Sequence, residues 1–332
     1  MPTVLLTHTP AMLDNYYGAR ALAALRKVCD VRLNDTGRVL DTAALTEAVR
    51  GCALVIADRQ TPGPAEFFAN APAELSGFLR VAVDIRNIDV DAASQAGILV
   101  TQATPGFTAA VAEMAIGFMI DCGRHTLDYA LDYRQGREPP ARMGRQLNGA
   151  TLGIIGYGVI GEYLARLAVA FGMKVLVSDP FKQVNSPGVA QVSFKELLAQ
   201  SDFAVCLAIA NTETANLMNA AAFAAMKPSA FFINLSRGEL VDEVALAAAL
   251  DAKQISGAAI DVGRAADQKP MLTLAQRADV IATPHIAGLT PDAAEHQAFD
   301  TVEQVKTILA GRVPPGAVNA ASAYRLTALK DK

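Results

Sequence analysis

One glycine turn near the middle of the chain constrains its fold more than any other feature. The segment Gly156-Tyr157-Gly158-Val159-Ile160-Gly161 lies between an apolar run at 151–155 and a helical pattern at 162–171. A second apolar run, at 174–178, follows the helical pattern and ends at Asp179. This order of strand, glycines, helix, strand and acid predicts a βαβ unit that binds a dinucleotide.

Each residue of the turn has a predicted role. Gly156 permits the tight turn, Gly158 lets the backbone approach a pyrophosphate, and Gly161 lets the helix pack closely on the strand. Val159 and Ile160 belong to the same cofactor-binding turn, where the amides at the helix N-terminus face the phosphates.

The acid after the second strand predicts which cofactor is used. Asp179 is placed to accept hydrogen bonds from a ribose diol, and its charge would repel the 2′-phosphate of NADP. No arginine follows immediately, although Lys182 lies close. We therefore expect NAD (NADH) as the cofactor.

Composition and the position of the turn indicate two domains. About 150 residues precede the turn, which is enough for a further domain. The 332 residues are 52% hydrophobic and 19% charged, with a net charge of −4. This composition fits a compact α/β protein and provides no basic stripe for a nucleic-acid partner.

Other patterns exclude several classes of protein. The four cysteines show no CxxC or metal-like spacing, so we expect reduced thiols and no metal site. The N-terminus lacks the pattern of a signal peptide, and the longest apolar stretch, 109–120, is too short to span a bilayer. The expectation is a cytoplasmic protein with no membrane partner.

Apolar runs alternate with amphipathic segments over residues 1–100 and again from Thr151, which predicts two parallel sheets with helices on both faces. The expected strands lie at 4–7, 31–33, 54–57, 80–83 and 98–101, and then at 152–155, 174–178, 190–192, 203–208, 231–234, 258–261 and 280–282. Between the sheets we expect one long helix from Thr108 to about Arg134, followed by an exposed loop. This helix and loop suit a dimer arm, although a helix that crosses one monomer explains the pattern nearly as well.

Three side chains follow predicted strands of the second sheet, where ligands bind to such sheets. Arg237 offers a planar fork for a carboxylate, or else is a structural arginine that holds a loop carbonyl. His285, flanked by Pro284 and Gly288, can exchange a proton near pH 7. Asp261 can orient a cofactor amide or cap its loop. The other histidines are expected at the end of the first strand (His8) and on helices (His125 and His296).

At these residues the chain resembles the D-isomer specific 2-hydroxyacid dehydrogenases over nearly its whole length. The strongest matches are 152–179, 234–243 and 283–288, and weaker ones are 87–89, 97–100 and 111–113. The resemblance implies a Rossmann NAD-binding domain at 104–288, inserted into a flavodoxin-like substrate domain at 1–103 and 289–332. It also implies a homodimer formed largely through the nucleotide domain and its long helix.

The resemblance also implies a reaction and its residues. The family interconverts small D-2-hydroxy acids and 2-keto acids by hydride transfer. By motif match, Arg237 would bind the substrate carboxylate and His285 would be the acid/base. The residues that would line the cofactor are Leu235, Ser236, Asp261 and 286–288, including Gly288.

The chain departs from the family at the acid that partners the histidine. The family usually has a glutamate five residues after the position of Asp261, and here that position is Ala266. We expect Asp267, one residue later, to replace it as a catalytic residue. Without any carboxylate partner, His285 would lose its raised pKa, and reduction would be confined to lower pH.

A second departure concerns the substrate. Asp84 stands where the glycine-rich substrate loop of the family usually has glycine. This carboxylate disfavours a second anionic group on the substrate unless Arg86 compensates, so a phosphorylated substrate is not expected.

Other functions stay open at this point. A nucleotide-sensing interaction protein with little or no turnover is favoured by the missing glutamate and opposed by the intact Arg237 and His285. Formate or phosphite oxidation is a further option, since those relatives also vary the acid partner. A scaffold that binds no nucleotide would leave the glycine pattern and Asp179 without a purpose.

Overall fold

The computed structural model describes residues 1–265 and 268–329, and the chain divides into two compact units. Unit 1 comprises Met1–Phe107 and Thr290–Lys332, and unit 2 comprises Thr108–Leu289. Each unit contains one sheet whose named strands all pair in parallel. The predicted class of two parallel-sheet α/β domains is therefore confirmed.

Unit 1 has a five-stranded sheet in the order β2-β1-β3-β4-β5. Its strands are β1 (Thr3–Leu6), β2 (Asp30–Leu33), β3 (Leu54–Ala57), β4 (Gly77–Arg80) and β5 (Leu99–Thr101). Its helices are α1 (Pro10–Tyr16), α2 (Ala19–Arg26), α3 (Thr42–Ala48), α4 (Ala65–Ala69), α5 (Val90–Gln95) and, at the end of the chain, α13 (Pro291–Leu309). Alternate strand residues face opposite layers: Val4 and Leu6 pack with α2 and α13, and Leu5 packs with α3 to α5.

The fourth strand of unit 1 lies three residues before its expected position at 80–83. The observed β4 contains Gly77, where a β-carbon would lie 2.8 Å from Leu54 Cδ2 on the neighbouring strand. This close approach favours glycine, a residue that usually weakens a strand, so the pattern of branched residues indicated the later run. As a consequence, Arg80 ends the strand fully buried.

Unit 2 has a seven-stranded sheet in the order β12-β11-β10-β9-β6-β7-β8. Its strands are β6 (Thr151–Ile155), β7 (Lys174–Ser178), β8 (Val189–Gln191), β9 (Phe203–Cys206), β10 (Phe231–Asn234), β11 (Gly257–Ile260) and β12 (Val280–Ala282). Its helices are α6 (Thr108–Arg124), α7 (Thr126–Arg134), α8 (Val159–Ala170), α9 (Phe194–Gln200), α10 (Ala220–Ala224), α11 (Glu243–Asp251) and α12 (Leu272–Ala275). The strand order reverses between β6 and β9, which makes their carboxyl ends the switch point of the sheet.

The single helix expected from Thr108 to about Arg134 is wrong, because the chain forms two helices there. His125 separates α6 from α7 with a left-handed backbone, at φ 54°. Its amide donates to the Asp121 carbonyl at 2.8 Å, and the Thr126 hydroxyl donates to the Asp121 carboxylate. Gly123, two residues before the break, lies inside α6, and the apolar periodicity continues past it, so the sequence predicted one helix. His125 was expected on a helix and instead occupies the junction.

Across residues 1–265 and 268–329, every helix is too short or too polar to cross a membrane.

Candidate functional site

The three glycines of the central turn differ in their surroundings. Gly156 has φ 92°, and a β-carbon there would lie 2.6 Å from Ala208 Cα. A β-carbon on Gly161 would lie 2.5 Å from the Gly156 carbonyl oxygen. At Gly158, in contrast, nothing lies within 4 Å of the β-carbon position. The tight turn, the close helix–strand contact and the open backbone are thus each found where the motif predicts them.

Helix α8 begins directly at this turn, three residues earlier than the helical pattern indicated. Gly158 is its N-cap and provides no side-chain hydrogen bond, and Val159 and Ile160 form its first positions. The first backbone bond of the helix joins the Glu162 amide to the Gly158 carbonyl at 2.9 Å. The first-turn amides and the open space at Gly158 fit the pyrophosphate of a dinucleotide.

Asp179 follows β7 and joins the turn to the next loop. Its Oδ2 accepts a hydrogen bond from the Tyr157 amide at 2.7 Å, and its Oδ1 accepts bonds from the amides of Phe181 at 2.8 Å and Lys182 at 3.1 Å. These bonds fix the carboxylate beside the glycine turn. A carboxylate held there can accept further bonds from ribose hydroxyls, since each oxygen has two lone pairs.

Two exposed apolar side chains beside this turn were not singled out by the sequence. The Phe181 residue is 82% exposed and Ile209 is 81% exposed, and they follow β7 and β9. Ile209 comes directly after Ala208, whose backbone contacts Gly156. Exposed apolar groups on both sides of a switch point suit a flat ring such as adenine. An aromatic residue two positions after Asp179 was the available signal.

Arg237 lies just after β10 on a backbone fixed by polar side chains. The Asn234 amide group donates to the Arg237 carbonyl at 3.0 Å, and the Ser236 hydroxyl donates to the Ala208 carbonyl at 2.6 Å. Leu235 between them is buried. The half-buried Arg237 donates from Nη1 to the Ser236 carbonyl at 2.8 Å. Carboxylate binding by Arg237 stays a prediction.

His285 lies in a loop organised by Asp261. The buried Asp261 carboxylate accepts bonds from the Thr283 hydroxyl at 2.6 Å, the Ile286 amide at 2.8 Å and the Ala287 amide at 2.9 Å. His285 has a left-handed backbone, at φ 58°. Non-glycine residues adopt such a conformation when surrounding bonds impose it, and these residues often lie at functional sites. Asp261 therefore caps this loop, and its role toward a cofactor amide stays a prediction.

The expected acid partner, Asp267, lies outside the described residues, as does Ala266. The segments on either side approach each other, since the Gly263 amide donates to the Gln268 carbonyl at 2.9 Å. Gly288, expected to line the cofactor, is half-buried at the end of the His285 loop.

A second acidic residue, Glu239, has its backbone against the loop that begins at Gly263. Its carbonyl accepts a bond from Arg264 Nη2 at 3.0 Å, and it follows Gly238, where a β-carbon would overlap the Gly263 carbonyl carbon. The Glu239 Oε2 atom is buried, and across the part of the chain that the structure describes no hydrogen-bond partner approaches it. Glu239 lies within the matching stretch 234–243, but it was not singled out from the sequence.

Unit 1 buries its own charged groups at the strand ends. Asp58 accepts a bond from the Thr7 hydroxyl at 2.7 Å, and Arg80 donates to the Asp58 carbonyl and to Asn87 Oδ1. The pKa of His8 is lowered to about 4, chiefly by burial; the charge of Asp58 opposes this shift and the charge of Arg80 adds to it. His8 is therefore neutral at pH 7.

The departure at Asp84 is offset by its neighbour. Arg86 donates to Asp84 Oδ2 from Nη2 at 2.7 Å, and from Nε to both carboxylate oxygens at 3.1 Å. The charge of Asp84 is thus paired with that of Arg86.

Comparison with known proteins identifies a family. Residues 116–287 match the family described as "D-isomer specific 2-hydroxyacid dehydrogenase, NAD binding domain". An (S)-sulfolactate dehydrogenase from Chromohalobacter salexigens is 35% identical, over 91% of this chain and 98% of its own length. The structure of the TT0316 protein from Thermus thermophilus has a TM-score of 0.84 and 30% identity, and covers 95% of this chain and 99% of that one.

A longer relative matches in part. A D-3-phosphoglycerate dehydrogenase from Synechocystis sp. is 38% identical over 76% of this chain, and this chain spans 46% of its length. The matched NAD-binding domain covers the glycine turn, Asp179, Arg237 and His285. The resemblance and the nicotinamide dinucleotide cofactor that the sequence predicted are confirmed.

Proposed function

The chain belongs to the D-isomer specific 2-hydroxyacid dehydrogenase family, and from this premise we propose that it interconverts a small D-2-hydroxy acid and its 2-keto acid with NAD(H). One observation carries the proposal. The loops that follow the strands of unit 2 hold a glycine turn suited to a dinucleotide, the half-buried Arg237, and a histidine fixed by the buried Asp261. Hydride transfer to a keto acid needs each of these.

The residues divide the reaction between them. NADH, when bound, supplies the hydride that adds to the ketone carbon of the substrate. Arg237 binds the carboxylate of the 2-keto acid with its planar fork, which orients the ketone. His285 donates a proton to the ketone oxygen, so that hydride and proton together give the hydroxy acid. In the reverse direction His285 accepts that proton.

Cofactor choice and assembly belong to the same proposal. The position of Asp179 beside the turn favours NAD over NADP, because a fixed carboxylate repels a 2′-phosphate.

A homodimer through unit 2 is supported by the partly exposed apolar side chains of α6 and α7, among them Ile120, Leu131 and Tyr133. We place the protein in the cytoplasm.

The substrate can carry a second anionic group. The pairing of Arg86 with Asp84 offsets the charge that disfavoured such a group. The names of two similar proteins, a sulfolactate dehydrogenase and a 3-phosphoglycerate dehydrogenase, denote 2-hydroxy acids with a second anion. Sulfopyruvate and 3-phosphohydroxypyruvate therefore belong in any substrate panel.

The test is NADH oxidation with a panel of 2-keto acids: glyoxylate, pyruvate, hydroxypyruvate, sulfopyruvate, 3-phosphohydroxypyruvate and bulkier ones. We expect turnover on at least one of these keto acids.

His285→Ala should lower kcat by roughly 10²–10⁴-fold, because general acid catalysis contributes about that much. Arg237→Met should raise KM by about 10²-fold, the scale of one charged hydrogen-bonded contact. NADH affinity, measured by its fluorescence, should hardly change in either variant.

A nucleotide sensor of the same fold is the second candidate, favoured by Ala266 in place of the usual acid. Tight NADH binding without turnover on any keto acid would support the sensor and reject the dehydrogenase.

A further inference from the structure

The loop after β11 reaches the loop after β10 through one side chain, that of Arg264. Its Nε donates to the Val241 carbonyl at 3.0 Å, and its Nη2 donates to the Glu239 carbonyl at 3.0 Å. Nη2 also donates to Asn216 Oδ1. A single guanidinium therefore joins three segments of unit 2, a task that its rigid fork of donors performs better than a lysine.

The backbones of the two loops also pack directly on each other. A β-carbon on Gly238 would overlap the Gly263 carbonyl carbon, and one on Gly263 would overlap the Lys269 carbonyl oxygen. The loop that carries Gly263 and Arg264 therefore lies against the turn that begins right after Arg237. A movement of one loop must displace the other.

A buried carboxyl group lies close to Arg264. Glu243, the first residue of α11, is buried, and burial raises the pKa of its carboxyl group. The nearby backbone and positive charge of Arg264 act to lower that pKa. Arg264 therefore lies close to the first turn of α11, while its side chain holds the turn before that helix.

Two of the three acceptors described above for the Arg264 side chain lie directly downstream of Arg237. The Glu239 and Val241 carbonyls come two and four residues after Arg237, while Asn234 and Ser236 fix the backbone just before it. We propose that Arg264 is a positioning residue that holds the Arg237 turn in the geometry needed to bind the substrate carboxylate. This inference rests on the proposed role of Arg237.

In this proposal, the loop that departs from the family pattern positions the Arg237 turn. The resemblance implies an acid partner of the histidine on this loop, and here the described part of the loop carries an arginine whose side chain holds the Arg237 turn. The loop that has Ala266 in place of the usual acid therefore also bonds, through Arg264, to the turn after Arg237. Arg264 transfers no proton, so it should affect substrate affinity and leave the pH profile of kcat unchanged.

The experiment compares Arg264→Met and Arg264→Lys with the unchanged protein. Oxamate, an unreactive analogue of a 2-keto acid, is titrated into the complex with NADH, and KM is measured for the best keto acid of the panel. We expect Arg264→Met to raise the oxamate Kd and the KM about tenfold, the scale of one or two lost hydrogen bonds. Arg264→Lys should have a smaller effect. The NADH Kd should change less than about twofold.

A double variant separates positioning from general stability. If Arg264 acts through Arg237, Arg237→Met with Arg264→Met should bind oxamate no worse than Arg237→Met alone, since coupled residues are not additive. Arg277→Met is the matched control, because this arginine of unit 2 bonds to Asp279 and Asp251 on the surface. It should leave the oxamate Kd unchanged.

The outcomes distinguish the inference from the proposed function. An unchanged oxamate Kd in both Arg264 variants, with Arg237→Met strongly impaired, would overturn the inference alone. An unchanged Kd in Arg237→Met as well would reject the carboxylate role of Arg237 itself. Equal losses of NADH and oxamate affinity would show that Arg264 only supports the fold, and would also overturn the inference.

Discussion

The carboxyl ends of the strands use charged side chains differently in the two units. In unit 1, Asp58 and Arg80 are buried and bonded to the loops around them, and His8 is buried and neutral. In unit 2, the acceptor Asp261 is buried, while Arg237 and His285 are half-buried. At the same kind of sheet edge, unit 1 thus buries these charged side chains, whereas unit 2 leaves Arg237 and His285 partly exposed.

The difference shows what a reactive edge requires. A histidine with a left-handed backbone needs bonds that impose its conformation, and the Asp261 carboxylate provides three of them to the loop. The buried charge is satisfied by backbone and hydroxyl donors, so the loop is fixed without using the His285 side chain as a donor to Asp261. In unit 1 the Asp58 carboxylate accepts from the Thr7 and Thr61 hydroxyls, and the Arg80 guanidinium donates to the Asp58 carbonyl and to Asn87 Oδ1.

The largest effect is expected from removing the carboxylate that organises the His285 loop. Asp261→Ala leaves three donors without their acceptor, which should lower the free energy of unfolding by roughly 3 kcal/mol or more. NADH oxidation should fall by at least about 10²-fold, because His285 loses its fixed position. Thermal denaturation followed by circular dichroism, together with turnover, measures both effects.

Asp58→Ala is the matched change in unit 1. It removes a buried carboxylate that also holds loops, so it should destabilise the protein while NADH affinity stays the same. Full turnover in Asp261→Ala would contradict the role given to this carboxylate. The difference proposed between the strand ends of unit 1 and those of unit 2 would then be wrong.

The glycine turn predicts the next largest effect, which differs between neighbouring glycines. Gly156 has φ 92°, and the β-carbon introduced by Gly156→Ala would lie 2.6 Å from Ala208 Cα. This substitution should therefore destabilise unit 2 by about 1–3 kcal/mol. Gly158→Ala meets no atom within 4 Å, so it should fold normally and bind NADH more weakly. Equal NADH affinity in Gly158→Ala and the unchanged protein would show that no pyrophosphate approaches there.

Unit 1 should account for a loss of stability in mild acid. The pKa of His8 is about 4 in the folded protein and 6.5 ordinarily, so the unfolded chain binds more protons between these pH values. The contribution of neutral His8 is therefore complete above pH 6.5 and declines as the pH falls toward 4, by at most about 3 kcal/mol. Urea denaturation at pH 7 and pH 5 measures the slope.

His8→Phe removes the titrating group and should flatten this pH dependence. His125→Asn is the control, because His125 is partly exposed, lies in unit 2, and has a left-handed backbone that asparagine tolerates. If the free energy of unfolding of His8→Phe falls between pH 7 and pH 5 as much as that of the unchanged protein, the acid sensitivity arises elsewhere, and His8 contributes nothing to it.

The elements of the fold were predictable where one local rule decides them. The strands of unit 2 and the helix after the glycine turn follow from apolar runs and from the spacing of Gly156, Gly158 and Gly161. The break at His125 was not predictable, because a left-handed histidine looks like any other polar residue in a helical pattern. β4 was displaced because its position depends on contact with Leu54 across the sheet.

The candidate site was predictable in its residue types and not in its connections. Position after a strand indicated Arg237, Asp261 and His285, since parallel sheets place ligands there. That Asp261 holds the His285 loop, and that Arg264 joins the turn after Arg237, depends on contacts between segments distant in sequence. No spacing rule encodes such contacts.

The smallest expected effect concerns the acid that partners His285. If Asp267 has this role, Asp267→Asn should lower the rate of reduction and move the decline of the reduction rate at high pH to lower pH, because a nearby carboxylate favours the protonated imidazole. The measurement is kcat/KM for the best keto acid across the range of about pH 5–9 in which a histidine titrates. Substrate affinity should change little, since Arg237 is untouched.

Glu239→Gln provides the matched comparison, because Glu239 has a buried carboxyl oxygen and its backbone carbonyl bonds to Arg264 on the same loop. A shifted profile in Asp267→Asn alone assigns the role to Asp267, and a shift in Glu239→Gln alone transfers it to Glu239. If neither variant changes the profile, His285 works without a carboxylate partner. The reactive edge of unit 2 would then depend on its buried acceptor, Asp261, and on no second acid.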